Sequence, residues 1–403
     1  MNSFYASVEC MLNPSLKGKP VAVGGSAESR HGIILAKSQE AKACGVKTGE
    51  ALWQAREKCS DLIIIEAHYE EYMKYSEKAH EIYRRYTDLI EPFGLDECWL
   101  DVTSSLSLFG SGAVIAESIR ETVKFELGLT VSIGVSFNKI FAKLGSDLKK
   151  PDAVTCIEKA NFREKIWPLP ASDLLGVGRA TTKKFESCGI ITIGDLAKTD
   201  VDFLRRRFGK CGEQLWVYAN GLDSSRVKHD SYLREIKSIG HGITCVSDLV
   251  STDEVWKVFL QLSQDVSRRL KEQKLSAKGV QISVKDNQLI SRQFQMILPL
   301  ATQSAIELAR GSIALFNANY RWFYDVRAVT VRAINLQPAD EPLQIDMFSD
   351  WKRHEKQEKI DNTVMDIRRR FGKEAIFNCC LMTERKIPHH KPEIHVMPAP
   401  MFK

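Results

Sequence analysis

The pattern of helix-like and strand-like segments changes twice along this chain of 403 residues. Up to about Pro168, amphipathic helical segments alternate with short strand-like runs, which predicts an α/β or α+β sheet domain. Residues 171–230 are typical of helices and turns only. From about Ile236, two amphipathic helices alternate with short strands whose hydrophobic residues recur every second position. The chain therefore predicts several consecutive domains, as its length also suggests.

Cysteine usage and charge narrow the class of protein. The ten cysteines are scattered, no C-x-x-C occurs, and the only close pair is Cys379 and Cys380. This pattern favours neither a disulfide framework nor a zinc site, and it fits a reducing cytosol. No apolar run approaches the length of a membrane span. We therefore expect a cytoplasmic protein without a membrane partner, and the net charge of +6 is a mild bias toward polyanions.

Two adjacent carboxylates interrupt an otherwise apolar, strand-like segment, LDECWLD. Neighbouring side chains on a strand point to opposite faces, so either Asp96 or Glu97 would face the core unless a turn or a cation intervenes. A divalent cation is one reason to tolerate such a pair. The other is a strand end with one exposed and one salt-bridged carboxylate. The pattern alone leaves both interpretations open.

Two basic segments could contact phosphates. The first is the Gly176-Val177-Gly178 turn followed by Lys183, where backbone N–H groups could approach a phosphate. An ordinary turn between helices fits it equally well. The second segment contains Lys143 and Lys150, which could line a phosphate track or lie on a solvated helix face.

A further segment, QIDMF at 344–348, follows the last strand-like run in a polar, proline-punctuated tail. A glutamine followed by aliphatic residues and a phenylalanine is typical of a peptide that docks in a pocket of a partner. A chance match to so short a string is the alternative.

The order of the motifs is more specific than any one of them. MNSFYASVE, AKSQEAKACGV, EPFGLDECWLDVT, VSIGVSFNKIFAKLGSDLKKPDAV, LLGVGRATTKKF and KSIGHG follow one another in that order. Over about residues 1–336 this series resembles the Y-family translesion DNA polymerases, especially the bacterial UmuC-like and DinB-like members. The resemblance implies an α+β multidomain fold shaped like a right hand. Its expected parts are a palm (1–10 and 70–168), fingers (11–69), a helix-hairpin-helix thumb (169–230), a little finger (235–336) and a C-terminal tail (337–403).

The resemblance also implies the chemistry. Family members extend a DNA primer with deoxynucleoside triphosphates at low fidelity, using two Mg²⁺ ions. Asp96 and Glu97 match the metal-binding pair of the palm. The family's third metal-binding Asp, at the end of a first palm strand, falls immediately before Met1. We therefore expect the chain as printed to be catalytically impaired, and the alternative function is a scaffold in mutagenesis that binds DNA and the clamp without catalysis.

Other site residues follow from the same motifs. Tyr5 matches the steric gate that excludes ribonucleotides, and Phe4 is expected to pack under the incoming nucleotide. Gln39 and Lys42 stand where the family often has Tyr and Arg to hold the triphosphate. Lysine places a single positive charge there, but unlike arginine it cannot form two parallel hydrogen bonds with a phosphate. Lys150 matches a family lysine that approaches the triphosphate from the palm.

The expected partners are primer-template DNA, deoxynucleoside triphosphates and the replication sliding clamp. The thumb turn, with Gly176, Gly178 and Lys183, is expected to grip duplex phosphates without reading sequence. The tail peptide resembles the clamp-binding peptides of bacterial relatives, and its expected contact residues are Gln344, Ile345, Met347 and Phe348.

Overall fold

The computed structural model describes residues 1–25, 32–232, 235–342, 350–372, 375–376, 378–382 and 386–387. These residues divide into two units, one containing 1–24 and 33–232 and the other the described part of 235–387. Each unit has its own buried hydrophobic residues. Within the described ranges, no helix combines the length and the apolar composition that crossing a membrane requires.

The first unit begins with a helix and a small sheet. Its elements are α1 (Phe4–Leu12), β1 (Val21–Gly24), β2 (Ile34–Lys37), α2 (Gln39–Ala43), α3 (Leu52–Lys58) and β3 (Ile63–Ile65). The sheet has the order β2-β1-β3, with β2 antiparallel and β3 parallel to β1. The N-cap residue Ser38 accepts a hydrogen bond from the backbone N–H of Ala41 at 3.3 Å and so fixes the start of α2.

The middle of the first unit contains the longest helices of the predicted palm. Its elements are α4 (Tyr69–Arg84), β4 (Ile90–Pro92), β5 (Cys98–Leu100), α5 (Leu106–Phe109), α6 (Gly112–Leu127), β6 (Ser132–Ser136), α7 (Lys139–Leu148), β7 (Ala153–Ile157) and α8 (Phe162–Ile166). In the described residues, antiparallel β4-β5 and parallel β6-β7 form separate two-stranded sheets. Helices α1, α4 and α6 bury their apolar faces in one common core, which includes Phe4, Tyr72, Ile82 and Ile115.

Glycine at 134 determines how closely β6 and α7 pack. A Cβ placed on Gly134 would lie 1.9 Å from the carbonyl oxygen of Ala142 on α7. Only a residue without a side chain therefore permits this approach. The close packing holds α7, which carries Lys143, against the sheet.

Residues 171–230 contain helices and turns, as the sequence predicts. The helices are α9 (Arg179–Glu186), α10 (Ile193–Lys198) and α11 (Val201–Ala219). Gly209 interrupts the helical backbone of α11 with a φ of 67°. Thr192 caps α10 and exchanges hydrogen bonds with Asp195 in a capping box.

The second unit contains a four-stranded antiparallel sheet, and two helices lie between its strands in the sequence. Its elements are β8 (Ser238–Leu249), α12 (Thr252–Glu272), β9 (Leu275–Asp286), β10 (Ser291–Thr302), α13 (Ala305–Asn319) and β11 (Val326–Pro338), and the strand order is β10-β9-β11-β8. The amphipathic helices predicted for this region are present, and the apolar residues of α12 at helical spacing are all buried: Val255, Phe259, Leu262, Val266 and Leu270. The expectation of short strands is wrong, since these strands span 12 or 13 residues. Buried residues of this sheet share one core with those of α12 and α13.

The polar tail beyond Pro338 contains a helix that the sequence patterns did not predict. Residues Trp351–Phe371 form α14, which contacts the start of α13. His354 is buried, and its Nδ1 lies 2.9 Å from the carboxylate of Glu307. Asp361 accepts a hydrogen bond from the backbone N–H of Ala305 at 3.2 Å. The sequence has no apolar pattern that would predict this helix, because its contacts with α13 are made by polar side chains.

Candidate active site

The acidic pair lies in a turn, which corrects the expectation that it stands inside a strand. Asp96 and Glu97 fall between β4 and β5, and the strand begins only at Cys98. The chain reverses at Gly94, whose φ of 111° favours glycine. The backbone N–H of Phe93 donates to the carbonyl oxygen of Glu97 at 2.8 Å and closes the turn. Both carboxylates are therefore half-buried and avoid the core.

Lysines from α7 and the segment after it alternate with carboxylates beside this turn. Lys143 Nζ lies 3.0 Å from Glu97 and 2.9 Å from Asp147, and Lys150 Nζ lies 2.6 Å from Asp147. Burial opposes the charge of Lys143, but the carboxylates of Glu97 and Asp147 outweigh it and raise the pKa of Lys143. Burial also opposes the charge of Asp147, yet the two lysines lower the pKa of its carboxyl. These three ion pairs connect the predicted metal ligand Glu97, through Lys143 and Asp147, with the predicted nucleotide ligand Lys150.

The amino group of Met1 reaches the same turn. Its nitrogen lies 2.6 Å from the carbonyl oxygen of Asp96, and burial lowers the pKa of this amino group although Asp96 and Glu97 favour its charge. A cavity of about 190 Å³ adjoins the turn and is lined by residues of β5, β6, α6 and the N-terminal segment. Among the described residues, no three His, Cys, Asp or Glu side chains converge in an arrangement that could hold a metal ion.

Tyr5 projects from the first turn of α1 and is half-buried. Its ring stacks on that of Tyr72, with centroids 4.2 Å apart and planes 10° apart. Burial, and then the neighbouring Tyr69 and Asp96, raise the pKa of Tyr5 to about 12, so its phenol is neutral at physiological pH. Phe4 is buried in the core beside Tyr72. Met1, four residues before Tyr5, contacts the acidic turn through the carbonyl oxygen of Asp96. The roles of Tyr5 and Phe4 toward a nucleotide stay predictions.

Helix α2 presents the predicted triphosphate residues. Gln39 and Lys42 are exposed, and Gln39 Nε2 donates to Ser3 Oγ, the N-cap residue of α1, at 3.1 Å. Lys37, which none of the sequence motifs singles out, lies just before this helix, and its Nζ donates to Thr48 Oγ1 at 3.1 Å. Burial, followed by the charge of Lys42, lowers the pKa of Lys37. Two cations that disfavour each other would both be stabilised by a bound anion. The signal for this pair in the sequence is one lysine just before α2 and another inside it.

The thumb turn is open to solvent. Gly176 has a φ of 94°, which favours glycine, and Gly178 is the N-cap of α9. A Cβ added at Gly178 would meet no atom within 4 Å. Lys183 is exposed on the following helix. The predicted tail peptide, Gln344 to Phe348, lies outside the described residues.

Three family models match consecutive parts of the chain. The impB/mucB/samB family matches residues 1–147, the thumb domain of DNA polymerase-iota matches residues 172–223, and the impB/mucB/samB family C-terminal domain matches residues 236–347.

Curated relatives align over almost the whole chain. A protein of Acetivibrio thermocellus described as DNA polymerase IV is 47% identical over 385 residues, which is 96% of both chains. DNA polymerase IV of Pelotomaculum thermopropionicum is 36% identical over 95% of this chain and 94% of its own. DNA polymerase IV 2 of Halalkalibacterium halodurans is 36% identical over 93% of this chain and 92% of its own.

A solved structure has the same fold. It is a chimera of the Y-family DNA polymerases Dbh and Dpo4, and it superposes with a TM-score of 0.73. The superposition covers 83% of this chain and 96% of the chimera at 21% sequence identity. At that identity the likeness concerns the fold, and it confirms the expected α+β multidomain polymerase architecture.

Proposed function

The chain belongs to the Y family of translesion DNA polymerases, and we propose that its synthesis past damaged bases is a Mg²⁺-dependent nucleotidyl transfer centred on Asp96 and Glu97. The family assignment rests on relatives that are 47% and 36% identical to this chain and align over nearly all of it. The observation that carries the mechanistic proposal is the half-buried acidic turn, which has Lys143 on one side and Tyr5 near it.

The donor set at this turn fits a hard divalent cation. Asp96 and Glu97 supply carboxylate oxygens, and Mg²⁺ sites in nucleotide-using enzymes combine one or two carboxylates with phosphate oxygens of the substrate. Lys143 already neutralises part of the charge of Glu97, so a bound cation would share that carboxylate with the ammonium group. When bound, Mg²⁺ would acidify the primer 3′-hydroxyl and neutralise charge on the leaving pyrophosphate.

The remaining residues would bind and orient the nucleotide. Lys42, supported by Lys37, offers positive charge to the triphosphate, and Gln39 can donate a hydrogen bond. Lys150 would exchange its ion pair with Asp147 for a phosphate oxygen. The neutral ring of Tyr5 would occupy the space that a ribose 2′-hydroxyl needs, with Phe4 supporting it from the core.

The thumb would hold the duplex through its phosphates. Because nothing lies within 4 Å of a Cβ on Gly178, a phosphate can approach the backbone N–H groups at the start of α9. Lys183 adds positive charge on that helix. Such contacts position DNA without reading its sequence.

The alternative of a scaffold without catalysis is not favoured. The relatives described above align over at least 92% of their own length, and each is described as DNA polymerase IV. We place the protein in the cytoplasm, where primer-template DNA and deoxynucleoside triphosphates are present in bacteria.

Primer extension tests the proposed function. The purified protein, with an apolar strand ending in Asp added before Met1 as the family pattern has it, is incubated with deoxynucleoside triphosphates, Mg²⁺ and primer-template DNA. The DNA is either undamaged or has an abasic site opposite the first insertion. We expect extension on both templates, and we expect none after chelation of the divalent cation, because carboxylates alone cannot stabilise the charge that develops. Tight DNA binding with no extension in Mg²⁺ or Mn²⁺ would contradict the proposal and support the scaffold function.

We also propose that residues 344–348 bind the sliding clamp. Gln344 can hydrogen-bond at the rim of a pocket, while Ile345, Met347 and Phe348 bury apolar surface at about 25 cal/mol per Å². A peptide spanning Glu341–Trp351 is expected to bind the clamp with micromolar-scale affinity by calorimetry, because ordering a short segment opposes binding. The matched peptide with Gln344→Ala and Phe348→Ala should not bind. Equal binding by the two peptides would contradict this site.

A further inference from the structure

A buried carboxylate lies one helical turn after Tyr5 and has no part in the proposed chemistry. Glu9 is only 3% exposed. Burying a carboxylate is unfavourable unless hydrogen bonds compensate for the lost water. Glu9 accepts a hydrogen bond from the Tyr72 hydroxyl, and its two oxygens lie 2.9 and 3.1 Å from Nδ1 of His68. Both donors belong to the start of α4, so Glu9 joins α1 to that helix.

Tyr72 connects this carboxylate to the proposed steric gate. Residues four apart on a helix lie on the same face, so Tyr5 and Glu9 both point from α1 toward Tyr72. The ring of Tyr5 stacks on the fully buried ring of Tyr72 at 4.2 Å, and Glu9 holds the hydroxyl at the far end of that ring. Burial, and then the hydrogen bond to Glu9, raise the pKa of Tyr72, so its phenol stays protonated as a donor.

We propose that Glu9 is a positioning residue for sugar selection, because by anchoring the Tyr72 hydroxyl it fixes the surface against which the Tyr5 ring lies. This inference rests on the proposed role of Tyr5 as steric gate. A stacked ring is free to slide or tilt over its neighbour unless that neighbour is itself fixed. Steric exclusion of one hydroxyl requires the Tyr5 ring to stay in place within a fraction of an ångström, because displacements near 1 Å change rates about 100-fold.

Tyr72→Phe tests the anchor while keeping the stacked ring. The ratio of kcat/KM for a deoxyribonucleotide to that for the matching ribonucleotide is measured in wild type and variant. We expect this ratio to fall at least threefold, mainly through faster ribonucleotide insertion, with the deoxyribonucleotide rate nearly unchanged. Glu9→Gln, which keeps the side-chain size and leaves one acceptor oxygen for two donors, should lower the ratio in the same direction and provides the test if the first variant does not fold.

Tyr320→Phe is the matched control. Tyr320 is also buried, and its hydroxyl donates to the carbonyl oxygen of Tyr324 at 2.7 Å in the second unit. Loss of the Tyr320 hydroxyl should lower the melting temperature about as much as Tyr72→Phe does, and it should leave the sugar ratio unchanged. A general loss of stability therefore cannot imitate the expected result.

The same measurement in a Tyr5→Ala background separates the two hypotheses. If Tyr5→Ala alone leaves the sugar ratio unchanged, the gate itself is refuted. If Tyr5→Ala lowers the ratio but neither Tyr72→Phe nor Glu9→Gln does, the positioning role of Glu9 is overturned while the gate stands. If the sugar ratio falls further when Tyr72→Phe is added to Tyr5→Ala, the positioning role of Glu9 is also overturned, because Tyr72 would then act independently of Tyr5.

Discussion

Replacement of Asp96 by alanine is expected to reduce primer extension by about 1000-fold, or roughly 4 kcal/mol of transition-state stabilisation at 1.36 kcal/mol per tenfold. The carboxylate is half-buried at the turn between β4 and β5, where its proposed role is to hold Mg²⁺ beside the primer terminus. Asp96→Asn should lose nearly as much, because it keeps the shape of the side chain and removes the charge. Single-nucleotide insertion rates under saturating DNA measure the effect.

DNA affinity serves as the readout that should not change. The proposed contacts to duplex phosphates belong to the thumb, so fluorescence anisotropy with labelled primer-template should give the wild-type dissociation constant. Glu70→Ala is the control variant, since Glu70 is an exposed carboxylate in the first turn of α4. Wild-type extension by Asp96→Asn would exclude Asp96 from the metal site.

Replacement of Tyr5 by alanine is expected to reduce discrimination against ribonucleotides on the order of 100-fold, which corresponds to roughly 2.7 kcal/mol. The ring lies near the acidic turn and is fixed by its stacking on Tyr72, so its removal opens the space that a 2′-hydroxyl would occupy. Parallel kcat/KM measurements with deoxyribonucleotides and ribonucleotides determine the change.

Tyr5→Phe separates the ring from its hydroxyl. Phenylalanine keeps the stacked surface, so this variant should retain most of the discrimination, whereas Tyr5→Ala should also lose about 3 kcal/mol of stability through the cavity it leaves. Unchanged discrimination in Tyr5→Ala would reduce Tyr5 to a packing residue of the α1 and α4 core.

Local sequence patterns predicted most helices and the fold class. In α12, Val255, Phe259, Leu262, Val266 and Leu270 recur at helical spacing, and all five are buried. Helix α14 escaped prediction because its buried residue is His354, satisfied by Glu307 rather than by apolar packing. The alternating pattern of LDECWLD predicts a strand that includes the acidic pair. Gly94, immediately before this segment, has a positive φ and starts a turn, so the pair lies outside the strand.

The sequence by itself determined the family, the order of the domains and the chemical types at the site, since periodicity and motif order are properties of neighbouring residues. The tertiary structure decided which of these groups meet. The pairing of Glu97 with Lys143 joins residues 46 positions apart, and that of Glu9 with Tyr72 joins residues 63 apart. Such contacts arise when helices and strands bury their apolar faces against each other, so no local pattern contains them. That packing placed Tyr5 on the ring of Tyr72 and brought the lysine of α7 to the acidic turn.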